Sequence, residues 1–74
     1  MPRFSGQRLR EARKSAGLSR ERVAAAAGVS VSSIERYEQG SGQPGVEAAA
    51  RVAGVLGVTV DDLLDIAQPA GAAA

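Results

Sequence analysis

The segment that decides the fold of this chain is GVSVSSIERYEQG, residues 28–40. A glycine, a valine and a serine lead into a run with helical spacing, and a second glycine ends it. Serine favours the position before a helix because its hydroxyl accepts a hydrogen bond from an unpaired amide of the first turn. Glycine favours the position after a helix, where the backbone is often left-handed. The segment therefore predicts a short helix that is entered by a tight turn.

The same helix-start and helix-stop signals recur along the chain. Hydroxyl residues stand before helical patterns at positions 5, 19, 30 and 59. Glycines stand after helical patterns at positions 17, 28, 40 and 57. Each cap is flanked by two apolar residues at the spacing that fixes how a chain enters a helix: Phe4 with Leu9, Leu18 with Val23, Val29 with Ile34, and Val58 with Leu63. Strand signals are weak. The pattern predicts an all-α fold with helices over residues 6–15, 20–27, 31–39, 46–56 and 60–66.

Length and composition restrict the possible functions. Seventy-four residues make one small domain, which we place at residues 6–66, with a flexible tail or linker at residues 67–74. The sequence has no cysteine and no histidine, so we expect no zinc site and no imidazole catalysis. The only paired carboxylates, Asp61 and Asp62, suit the first turn of a helix, so we expect no enzymatic activity, no metal and no cofactor. The sequence also has no apolar run of about 20 residues and no apolar signal segment. A cytoplasmic protein without membrane contact is therefore expected.

The charges are distributed unevenly between the two halves. Residues 1–37 carry eight basic and three acidic side chains, a net charge of +5, whereas residues 38–74 carry one base and five acids, a net charge of −4. Such asymmetry is typical of a protein with one face for a polyanion, although ordinary solvated charge explains it equally well.

One apolar core is expected from the helical spacing. A turn as short as residues 28–30 between two amphipathic helices is typical of a helix-turn-helix, with Val31, Ser32, Glu35 and Arg36 on the outer surface. The expected core residues have mostly small side chains: Leu9, Ala12, Ala16, Leu18, Val23, Ala24, Ala27, Val29, Ile34, Tyr37, Val46, Ala49, Val52, Ala53, Leu56, Val58, Leu63 and Leu64.

In this register the sequence resembles the phage repressor and Cro type of helix-turn-helix, the Xre family. The resemblance runs through LREARKSAGLSRERVAAAAGVSVSSIERYEQG and QPGVEAAARVAGVLGVTVDDLL, nearly all of residues 6–65. It implies a five-helix lambda repressor-like domain whose third helix lies in the major groove of double-stranded DNA. It further implies a transcriptional regulator, with repression as the expected mode, that binds DNA as a homodimer. Because the first three helices are committed to the core and to DNA, we expect the dimer contact at the fourth or fifth helix.

The resemblance also assigns roles to individual residues. Arg20, at the start of the second helix, corresponds to a DNA-contacting position. Val31, Ser32 and Arg36 correspond to positions that face base edges, and Ser33 to one near the backbone. Arg13 and Glu38 correspond to a pair that joins the first helix to the end of the third. The loop SGQPG lacks the basic residues that many members carry, so backbone contacts there are expected from amides, Ser41 or Gln43.

Physical chemistry supports these roles to different degrees. Arginine pairs with guanine through two hydrogen bonds, and valine suits a thymine methyl. Two other functions remain open at this stage: an antitoxin that binds both DNA and a toxin, and a helical protein-interaction module that binds no DNA. A partner protein or a missing carboxyl-terminal domain is compatible with each of them.

Overall fold

A serine caps the start of each of the first three helices. The computed structural model describes residues 3–65, and within them the chain forms four α-helices: α1 (Gly6–Ser15), α2 (Arg20–Ala27), α3 (Val31–Gln39) and α4 (Val46–Leu56). At the start of each of the first three helices a serine Oγ accepts a hydrogen bond from the amide three residues later, at 3.0–3.2 Å. The bounds predicted for the first four helices are confirmed.

The prediction of a fifth α-helix was wrong. Thr59 and Asp62 exchange side-chain and backbone hydrogen bonds at 3.0 and 3.2 Å, which closes a single 3-10 turn over Asp61–Leu63. The chain then becomes extended. Strand β2 (Leu64–Asp65) pairs antiparallel with strand β1 (Arg3–Phe4), so that Arg3 lies opposite Asp65 and Phe4 opposite Leu64. The backbone groups after the turn bond to the distant amino-terminal strand instead of continuing a helix.

The core lies between α2 and the elements around it. Helix α2 packs against both α3 and α4, while α1 packs against α3 and the 3-10 turn. The largest fully buried side chains of the core are Leu9, Val23, Ile34, Val52 and Leu63.

Two of the expected core residues are instead exposed. Val46 is 87% exposed, and Ala16, which caps the end of α1, is also exposed. Each has the right helical spacing but stands at a helix end, where spacing does not show whether a partner element is present.

The start of α1 lies directly against the end of α3. A Cβ atom added to Gly6 would lie only 2.3 Å from the carbonyl oxygen of Tyr37 and 2.4 Å from that of Glu38. The Phe4 and Tyr37 rings meet edge to face nearby, with centroids 6.1 Å apart. This close approach fixes the carboxyl-terminal end of α3 on the body of the domain.

None of the helices within residues 3–65 is long and apolar enough to cross a membrane. The predicted tail at residues 67–74 lies outside the described residues.

Candidate nucleic-acid interface

A three-residue connection sets the direction of α3 relative to α2. Gly28 has a φ of 72°, a left-handed conformation that costs glycine little and other residues more. The amide of Val29 then donates to Ala24 O at 3.0 Å, which ends α2, and Ser30 caps α3. Ile34 is fully buried and anchors α3 in the core. The connection and the anchor together leave the opposite side of α3 facing outward.

The outer face of α3 is formed by Ser32, Arg36 and Gln39. These residues are exposed and follow one another at intervals of four and three, so they lie on one side of the helix. None of their side chains forms a hydrogen bond or an ion pair within residues 3–65. Gln39 was not among the predicted site residues, although its helical spacing from Arg36 could have identified it.

Two predicted base-facing or backbone-facing residues are less accessible than expected. Val31 is half-buried and packs against the core, so the expectation that it stands on the outer surface was wrong. The first turn of α3 rotates its side chain towards the apolar cluster. Ser33 is also half-buried, and its Oγ accepts a hydrogen bond from Ser30 Oγ at 2.9 Å.

The loop after α3 lies against Arg36. The amide of Ser41 donates to the carbonyl oxygen of Arg36 at 3.0 Å, and its hydroxyl donates to the same oxygen at 3.4 Å. A Cβ atom added to Gly42 would be 3.6 Å from Cβ, Nε and Nη2 of Arg36. The Arg36 side chain therefore runs beside the loop. Gln43 is exposed in the same loop.

A buried ion pair joins α1 to the end of α3. Arg13 Nε lies 2.6 Å from Glu38 Oε2, Arg13 Nη2 lies 3.5 Å from Glu38 Oε1, and the side chains are 10% and 4% exposed. Arg13 Nη1 also donates to the carbonyl oxygen of Leu18 at 2.9 Å. The two residues expected to form a structural pair are thus in contact, and the arginine additionally fixes the α1–α2 connection.

Arg20 is joined to the same cluster. Its Nε donates to Glu38 Oε1 at 3.3 Å, and its Nη1 lies 3.8 Å from Glu35 Oε2. The sequence did not predict either contact, because the two partners lie 15 and 18 residues further along the chain. We therefore find Arg20 at the start of α2 with two carboxylates of α3 beside it.

Most of the basic side chains form no ion pair with another described residue. Within residues 3–65, Arg13, Arg20 and Arg51 are ion-paired. The other cations have no carboxylate partner in that part of the chain: Arg3, Arg8, Arg10, Lys14, Arg22 and Arg36. Five of these six belong to the first two helices or precede them, so the positive charge of the amino-terminal half is available to an external anion.

Comparison with known proteins agrees with this geometry. The helix-turn-helix family profile matches residues 9–63. The HTH-type transcriptional regulator DdrOP3 of Deinococcus deserti is 39% identical over 59 residues, which cover 80% of this chain and 46% of that protein. The SPbeta prophage-derived uncharacterized HTH-type transcriptional regulator YonR of Bacillus subtilis is 34% identical over 59 residues, covering 80% and 55%. The chain thus spans about half the length of these curated relatives.

A solved structure of SinR, the master regulator for biofilm formation, in complex with DNA is also similar. It superimposes with a TM-score of 0.74 at 34% identity, covering 78% of this chain and 94% of that one. Because the family profile matches residues 9–63, well over half of the chain, the chain belongs to the helix-turn-helix family of the phage repressor and Cro type.

Proposed function

We propose that this protein binds double-stranded DNA sequence-specifically as a transcriptional regulator, with α3 in the major groove. The observation that carries the proposal is the outer face of α3, where three polar side chains are exposed and unpaired within residues 3–65. A major groove about 12 Å wide admits one α-helix with its side chains. The relatives named as transcriptional regulators and the DNA-bound SinR structure support the same conclusion.

The contacts divide into base readout and backbone positioning. Arg36 is suited to guanine because its planar fork matches the two acceptors of that base. Ser32 and Gln39 stand beside it as further base contacts. Val31 retains only part of its surface for a thymine methyl. Arg20 contacts a phosphate at the start of α2, and Ser33, Ser41 and Gln43 contact phosphates around the turn and the loop. Such contacts fix the register of the protein on DNA without reading its sequence.

The protein acts as a two-fold dimer, with one α3 in each half-site. In the absence of a fifth helix within residues 3–65, α4 offers the dimer contact, where Val46 is an exposed apolar side chain. Half-sites then lie about 10–10.5 base pairs apart or at a multiple of this distance. A dimer seated across a promoter blocks other proteins there, so repression is the mode we propose. This function places the protein in the cytoplasm with the DNA.

Selection of bound sites from a random duplex pool, followed by footprinting, tests the proposal. We expect an enriched inverted repeat that is protected on both half-sites. Failure to enrich any sequence, even at low salt, would contradict DNA readout and favour a helical protein-interaction module. Enrichment of a single unrepeated half-site at saturating protein would contradict the dimer. An antitoxin would enrich DNA and also bind the product of a neighbouring gene.

A further inference from the structure

Arg20 is held by two carboxylates of α3 that differ in how firmly they hold it. Its Nε donates a hydrogen bond at 3.3 Å to Glu38, whose side chain is only 4% exposed. Its Nη1 lies 3.8 Å from Glu35, and these two side chains are 43% and 45% exposed. Ion pairs exposed to this degree contribute little to stability, because water solvates both charges. The contact with Glu38 is therefore the fixed one, and the contact with Glu35 is easily exchanged.

A carboxylate and a DNA phosphate are alternative ligands for the same guanidinium. Both present negatively charged oxygens that accept hydrogen bonds from the planar fork of arginine. Arg20 is the first residue of α2, and backbone amides at the start of a helix also favour an anion. A phosphate that bound Arg20 through Nη1 would therefore displace Glu35.

We propose that Glu35 is a specificity-determining residue that competes with DNA phosphate for Arg20. The proposal rests on the proposed DNA-binding function. Without DNA, Glu35 neutralises the exposed part of Arg20. On a cognate site the seated α3 holds a phosphate beside α2, and the phosphate replaces Glu35. On unrelated DNA no phosphate is held at that position, and Glu35 keeps Arg20 occupied.

The consequence is weaker binding to the wrong DNA. Non-specific binding depends on how many phosphates the protein neutralises. Because Glu35 removes Arg20 from that number, it lowers affinity for unrelated duplexes more than for a cognate one. Discrimination through an unfavourable element of this kind raises specificity without adding any contact to the cognate site.

The test is a double-mutant cycle on Glu35→Gln and Arg20→Ala. Glu21→Gln is the matched control, because Glu21 is an exposed glutamate beside Arg20 that makes no ion pair within residues 3–65. Affinities are measured on a selected and a scrambled duplex at several salt concentrations. Thermal unfolding checks that each variant folds, and Arg20→Gln replaces Arg20→Ala if the alanine variant does not.

We expect Glu35→Gln to raise affinity for the scrambled duplex about two- to five-fold, and for the selected duplex by less. The salt dependence on the scrambled duplex should steepen by about one unit per monomer. With Arg20 removed, Glu35→Gln should do no more than Glu21→Gln. An equal gain with and without Arg20 would show direct repulsion of phosphate by Glu35 and would overturn the proposal, as would an equal gain from Glu21→Gln.

Retention on phosphocellulose separates this proposal from the proposed function. If the protein binds a scrambled duplex as tightly as any other duplex, the proposal of sequence-specific DNA binding fails. Competition for Arg20 still predicts that Glu35→Gln elutes at higher salt than the parent, and only when Arg20 is present. Unchanged elution, or no retention of any variant, would overturn the competition itself.

Discussion

The inner and outer sides of α3 have opposite properties although they belong to one helix of nine residues. On the inner side Ile34 is fully buried, and Glu38 accepts hydrogen bonds from two arginines. On the outer side Ser32, Arg36 and Gln39 have no side-chain partner within residues 3–65. The domain therefore fixes where α3 lies through one set of residues and leaves a separate set for an external ligand. Substitutions on the two sides should change different measurements.

The largest expected effect is that of Glu38→Ala on stability. Removing the glutamate leaves Arg13 buried without its partner, which costs about 3–5 kcal/mol. Chemical denaturation should show a lower free energy of unfolding by this amount. Glu47→Ala is the control, because it breaks the exposed Glu47–Arg51 pair at 3.2 Å and should cost about 0.5 kcal/mol or less. Equal losses in the two variants would mean that burial makes no difference to the pair on the inner side.

A second change to the inner side is Gly6→Ala. The new methyl group would collide with the carbonyl oxygens of Tyr37 and Glu38, so α1 and the end of α3 must move apart. We expect a loss of about 1–3 kcal/mol in the free energy of unfolding. Gly54→Ala provides the contrast: apart from its chain neighbours and the backbone of its own helix, no atom lies within 4 Å of its added Cβ, so alanine should stabilise α4 by up to about 1 kcal/mol. An unchanged melting temperature for Gly6→Ala would contradict the close approach.

On the outer side, Arg36→Ala should leave stability unchanged and alter DNA discrimination. Loss of a two-bond contact to guanine should cost about 1–3 kcal/mol on the best duplex and much less on a scrambled one. Titrations on both duplexes, with thermal unfolding as the control for folding, measure the difference. Equal losses on the two duplexes would make Arg36 a phosphate contact, and base readout would then depend on Ser32, Gln39 and DNA shape.

The smallest expected effect is that of Arg20→Ala. Arg20 contacts both the buried Glu38 on the inner side of α3 and the half-exposed Glu35. Because Glu35 keeps Arg20 from phosphate on unrelated DNA, this substitution should weaken binding to the selected duplex more than to the scrambled one and reduce the salt slope on the selected duplex by about one unit per monomer. The measurement is the salt dependence of affinity on the same two duplexes. A loss on the selected duplex with an unchanged salt slope would instead assign Arg20 to base readout, and equal losses on both duplexes would contradict competition by Glu35.

Much of the helical framework could be predicted because its signals are local. The caps at Ser5, Ser19 and Ser30 and the glycine stops define helix ends within a few neighbouring residues, and α1 to α4 follow them. The end of the domain could not be predicted in this way. Whether the chain after Asp62 continues as a helix depends on pairing with Arg3–Phe4, far away in sequence, and two-residue strands have no periodicity to detect.

The candidate site was predicted from the resemblance more than from periodicity. Helical spacing placed Ser32 and Arg36 outward, but it could not show that Val31 packs on the core at the first turn. Nor could it show Arg20 between Glu35 and Glu38, because that contact depends on how α2 crosses α3. Contacts between helices depend on crossing geometry, which the order of residues within each helix does not contain.

The pairing of β1 with β2 has a consequence for the local opening of the domain. It joins the two ends of the described chain, and the amide of Ser5 donates to Leu63 O at 2.8 Å across the same junction. The ladder has only two residue pairs, so it should open at a lower free energy than global unfolding. Hydrogen exchange at the Ser5 amide should therefore be faster than at Val52 in the core. Because Phe4 contacts Tyr37, each such opening also removes a contact from the end of α3, so the hold of the domain on that end of α3 depends on whether β1 stays paired with β2.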